Sequence, residues 1–194
     1  MKKLGSLACA VILCASCLVM FPSCKGKNAK SAEAIEEEQE TLLAVIDKYI
    51  EEEFGSQYSQ GDYCIPSPLV LEEDESDPED ILVWGDFRVF NYVQSGDTLK
   101  TVSGGSHPGL LHLKNVDGKY EVFDFNAVAD GADNMISAER IFGDKFDAFQ
   151  KMVSDEADRE EIRNRAIAEY ALKHDLEVTL YQDFGWDPEE IIFE

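Results

Sequence analysis

The chain is short of cysteine where cysteine would matter. Of its five, Cys9, Cys14, Cys17 and Cys24 crowd into the first 24 residues, and Cys64 stands alone in the rest. One thiol makes no internal disulfide, so the remainder must hold itself together by its core. A lone Cys such as this behaves as a small buried apolar residue. Metal-binding spacing is also missing: no His or Cys pair fits a zinc site, and no HExxH occurs. The glycine-rich run at Gly104 lacks the Lys-Ser or Lys-Thr of a phosphate loop. Gly104-x-Ser106 begins a nucleophile elbow, but Pro108 stands where its second Gly belongs. Nothing here calls for a metal or a cofactor. Positive charge is scarce too. Seventeen Lys and Arg face 40 Asp and Glu, a formal net charge of −23. That balance excludes nucleic acid as a partner and argues against electrostatic binding to an anionic bilayer.

What is present begins with an export leader. Lys2 and Lys3 precede a mostly apolar run over residues 4–21, followed by Pro22-Ser23-Cys24 and a small, polar stretch to residue 32. This order describes a signal peptide and not a globular helix. Cys24 at the end of the apolar run resembles the lipobox of bacterial lipoproteins, in which cleavage before a Cys precedes its acylation. The chain departs from that pattern in carrying Phe21, not Leu, three residues before the Cys. Cys17, preceded by Cys14-Ala15-Ser16, is a second candidate; apolar residues continue past Cys17 and stop after Cys24, which favours Cys24. An uncleaved anchor is the alternative, and Pro22 falls close to the roughly 20 residues that a spanning helix needs. The resemblance implies residues 1–23 as leader, residues 24–32 as lipidated Cys and flexible tether, and residues 33–194 as one domain. It places the protein in the cell envelope, held through acyl chains at the outer membrane and facing periplasm or exterior. Loss of Lys2 and Lys3 takes the formal charge from −23 to −25.

Residues 81–129 read as the sheet around which the domain is organised. ILVWGDFRVFNYVQ, residues 81–94, is rich in β-branched and aromatic residues and lacks Pro. On one long strand, Val83, Phe87, Val89 and Val93 share an apolar face. Trp84, Asp86, Arg88, Phe90, Tyr92 and Gln94 share a mixed one. Ser95-Gly96-Asp97 is a turn, and Thr98 starts a return strand. Residues 104–109, GGSHPG, are a bulge or loop in one bent strand, or a break between two. Asp117-Gly118 marks a tight hairpin. After it, Phe123, Phe125 and Ala127 share one face; Tyr120, Val122, Asp124 and Asn126 share the other.

The flanks are helical or irregular. An apolar stripe of Ile35, Leu42, Ile46, Tyr49, Ile50 and Phe54 predicts a helix over residues 33–54. Its natural partner is the apolar face of the meander. Pro66 and Pro68 mark an edge strand or extended arm. Residues 72–80 hold seven acids in nine positions without the order of a calcium loop, and read as a solvated loop. Helices are expected over residues 137–153 and 155–174, the second with Asp158 and Glu161 as a capping box. Pro188 starts a last helical turn, and residues 181–186 form a packed strap.

The fold class is therefore α+β: an N-terminal helix on a bent antiparallel meander, with further helices at the C-terminus. That order of elements resembles the NTF2-like and cystatin-like domains, and the chain resembles small exported bacterial lipoproteins. Three functions follow. The first is a non-enzymatic binding or interaction module whose surface is the mixed face, with Trp84, Asp86, Arg88 and Tyr92 contacting a small ligand or a protein partner. The second is a small NTF2-like enzyme with His112 and Asp124 as acid–base pair. The third is a structural homodimer that buries the aromatic face.

Overall fold

Three neighbouring stretches of strand turn a corner at the same level. β1 (Tyr63–Pro66) and β2 (Leu69–Asp74) meet at Ser67-Pro68. β3 (Ile81–Asp86) and β4 (Val89–Ser95) meet at Phe87-Arg88. β5 (Thr98–Gly105) and β6 (Pro108–Val116) meet at Ser106-His107. With β7 (Lys119–Ala127) they form one four-stranded antiparallel sheet, in the order β2-β3-β6-β7, and the first part of another, in the order β1-β4-β5. Backbone hydrogen bonds continue through the corner: Ser67 N–H donates to Arg88 O at 2.9 Å, and Phe87 N–H to His107 O at 3.1 Å. The segment 81–94 is thus two strands in two sheets and not one. Pro66 and Pro68 fall on or beside edge strands, where a missing donor costs no ladder bond.

The computed structural model describes residues 40–193. The leader, Cys24, the tether and the first part of the expected helix lie outside the described residues. The helix continues as α1 (Leu42–Tyr49), whose first turn is capped by Thr41 Oγ1 accepting from Ala44 N–H at 3.2 Å. A π turn (Ile50–Phe54) and a 3₁₀ turn (Gly55–Gln57) extend it. Its stripe is buried: Leu42, Val45, Ile46, Ile50 and Phe54 pack on Ile81, Val83, Phe87, Val89, Leu111 and Leu113. These residues come from both sides of the corner, so one core beneath α1 ties the two sheets together. Each fully buried aliphatic side chain contributes roughly 1.5–3 kcal/mol. Val93 does not join them and is 37% exposed.

The hairpin at Asp117-Gly118 forms as expected, with φ of 55° and 82° at the two positions, the backbone that Gly and Asp tolerate best. Beyond it the face assignment changes. The register pairs Asp124 with His112 but Val122 with Leu113. Phe123 is the extra residue of a bulge, and a bulge inverts the alternation. Tyr120, Val122 and Phe125 all pack against the α1 core, while Phe123 swings out to 50% exposure.

The C-terminal half covers the other faces. The helix expected over residues 137–153 is two helices, α2 (Asn134–Phe142) and α3 (Phe146–Ser154), separated by a 3₁₀ turn at Gly143–Lys145. That break lets the Phe142 and Phe149 rings stack at 3.8 Å. α4 (Glu156–Lys173) begins one position after its cap: Asp155 accepts from Asp158 N–H at 3.2 Å. Asp155, not Asp158, is therefore the capping residue. The tail runs as β8 (Leu180–Gln182), parallel to β5, and β9 (Glu189–Glu190), antiparallel to β8. Residues 189–190 pair as strand and do not start a helical turn.

Candidate functional site

Most of the mixed face proposed as a binding surface is covered by the rest of the chain. Tyr92 is 0% exposed, Asp86 4% and Arg88 6%. Tyr92 packs with Ile65 and Leu99 under Ile167, Ala168 and Ala171 of α4. Trp84 packs with Phe142 and Phe149 of α2 and α3, and its indole N–H donates to Ile141 O at 3.2 Å. Arg88 is spent on structure. Its guanidinium donates to Ser67 O at 3.1 Å, Ser67 Oγ at 3.2 Å and Arg159 O at 3.1 Å, holding α4 to the corner. Asp86 accepts from Ser106 Oγ–H at 2.7 Å. Burial raises the Asp86 carboxyl above its usual range, against the opposing pull of Ser106 and Arg88. Asp86, Arg88 and Tyr92 are buried and Trp84 is half-buried, so most of this face is taken up by packing within the chain. The cover over the aromatics of this face comes from the chain itself, through α2, α3 and α4.

The hairpin register does bring His112 opposite Asp124. Their side chains nevertheless do not pair. His112 Nδ1 lies 2.7 Å from Asp80 Oδ1, a carboxylate from the acidic loop. Its Nε2 lies 2.9 Å from Asn126 Nδ2. With the Nδ1 proton on Asp80, Nε2 accepts from the Asn126 amide, and the ring has no lone pair left to take a substrate proton. Asp124 is exposed. A general base needs both a free nitrogen and a pocket, and His112 is in neither cleft described below. Cys64 is half-buried against the α1 core; burial, and then Glu51, push its thiol up to about 11, so it is no nucleophile near neutral pH. Among the described residues, no cluster of His, Cys, Asp and Glu could hold a metal ion.

A concave feature with an exposed apolar floor lies elsewhere. A groove of about 770 Å³ runs between α4 and the β8–β9 hairpin. Ala168, Leu172 and Ile192 supply its apolar surface, and Glu160, Glu161, Glu169, Glu189 and Glu190 surround it with Arg165. Helical spacing explains one wall, because Asn164, Ala168 and Leu172 are four apart. The other wall is clamped in place. Asn164 Nδ2 donates to Glu190 O at 2.7 Å, and Ile192 N–H donates back to Asn164 Oδ1 at 2.8 Å. Tyr181 O–H is 2.9 Å from Glu189 Oε2 and 3.3 Å from Glu160 Oε2. Its single proton serves one carboxylate at a time. Burial first, then the Glu189 bond, hold that phenol well above its usual value.

A buried cation fixes the hairpin to the body. Arg163 is 3% exposed and donates twice to Asp183, at 2.7 Å each, once to Tyr92 Oη at 3.0 Å and once to Thr101 Oγ1 at 2.8 Å. Its guanidinium lies 4.1 Å from the Phe90 ring centroid and 5.1 Å from that of Tyr181. Beyond Asp183 the chain turns tightly: Trp186 N–H returns to Asp183 O at 3.2 Å, with Gly185 at φ 83°. The turn leaves Phe184 97% and Trp186 74% exposed. The expected strap packs only through Tyr181; its other two aromatics face water. Arg163 stands four residues before Ile167 on the apolar side of α4, a placement that signals a buried arginine from spacing alone.

A second cleft, about 500 Å³, separates α1 from α4 over Ile65 and Pro66. Asp47 lines it. Burial, and then Glu169, push its carboxyl up to about 6 against the pull of Lys173, and its Oδ1 is buried without a hydrogen-bond partner. A scan against models of protein families, a search of curated proteins and a search of solved structures each found no match for this chain.

Proposed function

We propose that the protein is a lipid-anchored component of the cell envelope, tethered through Cys24, that acts as a non-enzymatic binding module. Its binding site is the groove between α4 and the β8–β9 hairpin. The observation that carries this reading is an apolar floor left open beside a wall held rigid: Leu172 is 61% and Ile192 64% exposed, while Asn164 and Arg163 pin the elements that bear them. Contiguous exposed apolar surface with a polar rim marks an interaction site, and rigid support limits the entropy lost on binding. A helix lying across a bent sheet is also what the resemblance to NTF2-like and cystatin-like domains implies. The acid–base reading is disfavoured by the occupied nitrogens of His112. Among the described residues no helix is long and apolar enough to cross a membrane, so the tether rests on the leader and Cys24.

Two measurements test the proposal. Mass analysis of the exported protein is expected to show a chain that starts at an acylated Cys24; an intact run over residues 4–21 would remove the tether. In a thermal-shift screen, ligands of the groove raise the midpoint with concentration, since they bind only the folded state. Leu172→Asp, at an exposed position, is expected to abolish those shifts while leaving the unliganded midpoint within a few degrees. Shifts that survive the substitution would place the binding elsewhere.

A further inference from the structure

We propose that the groove takes a lysine-rich amphipathic helix of a partner protein. This rests on the groove being the binding site. The first argument is exposure. Leu172 and Ile192 are 61% and 64% exposed, so a small ligand seated there would remain largely wetted. Small-ligand sites enclose most of the ligand surface. An apolar stripe on a partner helix would cover both residues at once, which is the helix-in-groove mode of recognition.

The second argument is length. Groove residues on α4 run from Glu160 to Leu172. At 1.5 Å per residue this wall is roughly 18 Å long. Three to four turns of a partner helix match it.

The third argument is charge. Five glutamates line the groove and Arg165 is its one guanidinium. Of these, Glu161, Glu169 and Glu190 form no ion pair among the described residues. Glu160 and Glu189 converge on one phenolic proton of Tyr181, so one of the two always lacks that donor. A ring of carboxylates in which, among the described residues, only Glu160 has an ion-pair partner, Arg163 at 4.0 Å, surrounds an apolar floor and selects lysines flanking an apolar stripe. It also rejects the alternatives. A second copy of this chain carries a net charge of −23, and an anionic bilayer is repelled in the same way.

The test uses the full chain and three fluorescein-labelled peptides of fourteen residues. One places Leu on one helical face and Lys on the other. The second exchanges Lys for Glu. The third has the composition of the first, scrambled so that no apolar face forms. Fluorescence anisotropy follows binding at low and at elevated salt. The Leu/Lys peptide is expected to bind, and to weaken about tenfold as salt shortens the screening length. Glu169→Gln with Glu190→Gln is expected to weaken it about tenfold as well, and Leu172→Asp to abolish it. Equal binding by the scrambled peptide would reduce the effect to bulk charge and overturn the proposal. Equal binding by the Leu/Glu peptide would overturn the partner chemistry but keep the groove. Leu/Lys binding unchanged by Leu172→Asp would overturn the groove itself. No binding by any of the three would also overturn the proposal, and the thermal-shift screen then decides whether the groove stands.

Discussion

Replacing Arg163 with Ala is expected to destabilise the domain by about 2–3 kcal/mol, the scale of hydrogen bonds to a charged group and short of the full cost of stranding a buried charge, because the Asp183 side chain is 42% exposed. The size follows from what is left behind. Asp183 loses two 2.7 Å bonds, Tyr92 Oη its donor, and Thr101 Oγ1 its partner. Tyr92 and the guanidinium are both almost fully inaccessible, so water does not replace the Tyr92 bond without opening the core, whereas the Asp183 side chain, 42% exposed, is partly re-solvated. The rings of Phe90, Tyr92 and Tyr181 also lose the cation that lies among them. Arg163→Lys should rescue little, because one ammonium cannot reproduce the planar fork on Asp183. Urea unfolding at neutral pH measures the loss, and a value below 1 kcal/mol would show that the hairpin is held by other contacts. The pair has an acid limit. The hydrogen bonds from Arg163 lower the Asp183 carboxyl below 3.8. A group lowered in the folded state adds stability that is complete above its unfolded value and disappears as pH falls through the folded one. Acid unfolding below about pH 4 should therefore be less steep in Asp183→Asn.

Asp47→Asn is expected to act in the opposite direction, stabilising the domain by roughly 2–3 kcal/mol at pH 8 and by almost nothing at pH 4, on about 1.4 kcal/mol per pKa unit. The Asp47 carboxyl is raised from 3.8 to about 6 by burial and by Glu169. Between those values the folded protein keeps a proton that the unfolded chain releases. Stability therefore declines as pH rises from about 4 to about 6 and stays at the lower level above. The amide carries no charge to desolvate and so escapes the decline. Urea midpoints at the two pH values check it; an equal gain at both would mean that packing, not ionisation, is responsible. The penalty falls between α1 and α4, the two helices that flank the second cleft.

These two residues also show how far sequence patterns carry. Asp47 follows Val45 and Ile46 on a helix whose stripe is plain, yet only the arrival of α4 makes its position buried. The same contrast runs through the sheet. Val83, Phe87 and Val89 lie beneath α1 as their alternation implies. The opposite face carries large aromatics that alternation alone leaves without a partner, and its cover comes from residues far along the chain. Tyr92 meets Arg163 71 positions away, Trp84 meets Ile141 57 away, and Arg88 meets Arg159 71 away. The bulge at Phe123 inverted a face that strict alternation would have kept. Asp80 took His112 from Asp124 across 32 positions.

By itself the sequence determined the acidic balance, the α+β order, the Asp117-Gly118 hairpin and the buried stripe of α1. Each of these is a matter of composition or of neighbours within a few residues, where backbone geometry sets which side chains share a face. Only the tertiary structure decided which faces remain wet. It closed the one carrying Trp84, Asp86, Arg88 and Tyr92, and left the α4 groove open. Whether an apolar patch is core or contact surface depends on what packs over it, and that is settled by distant segments whose placement no local spacing encodes.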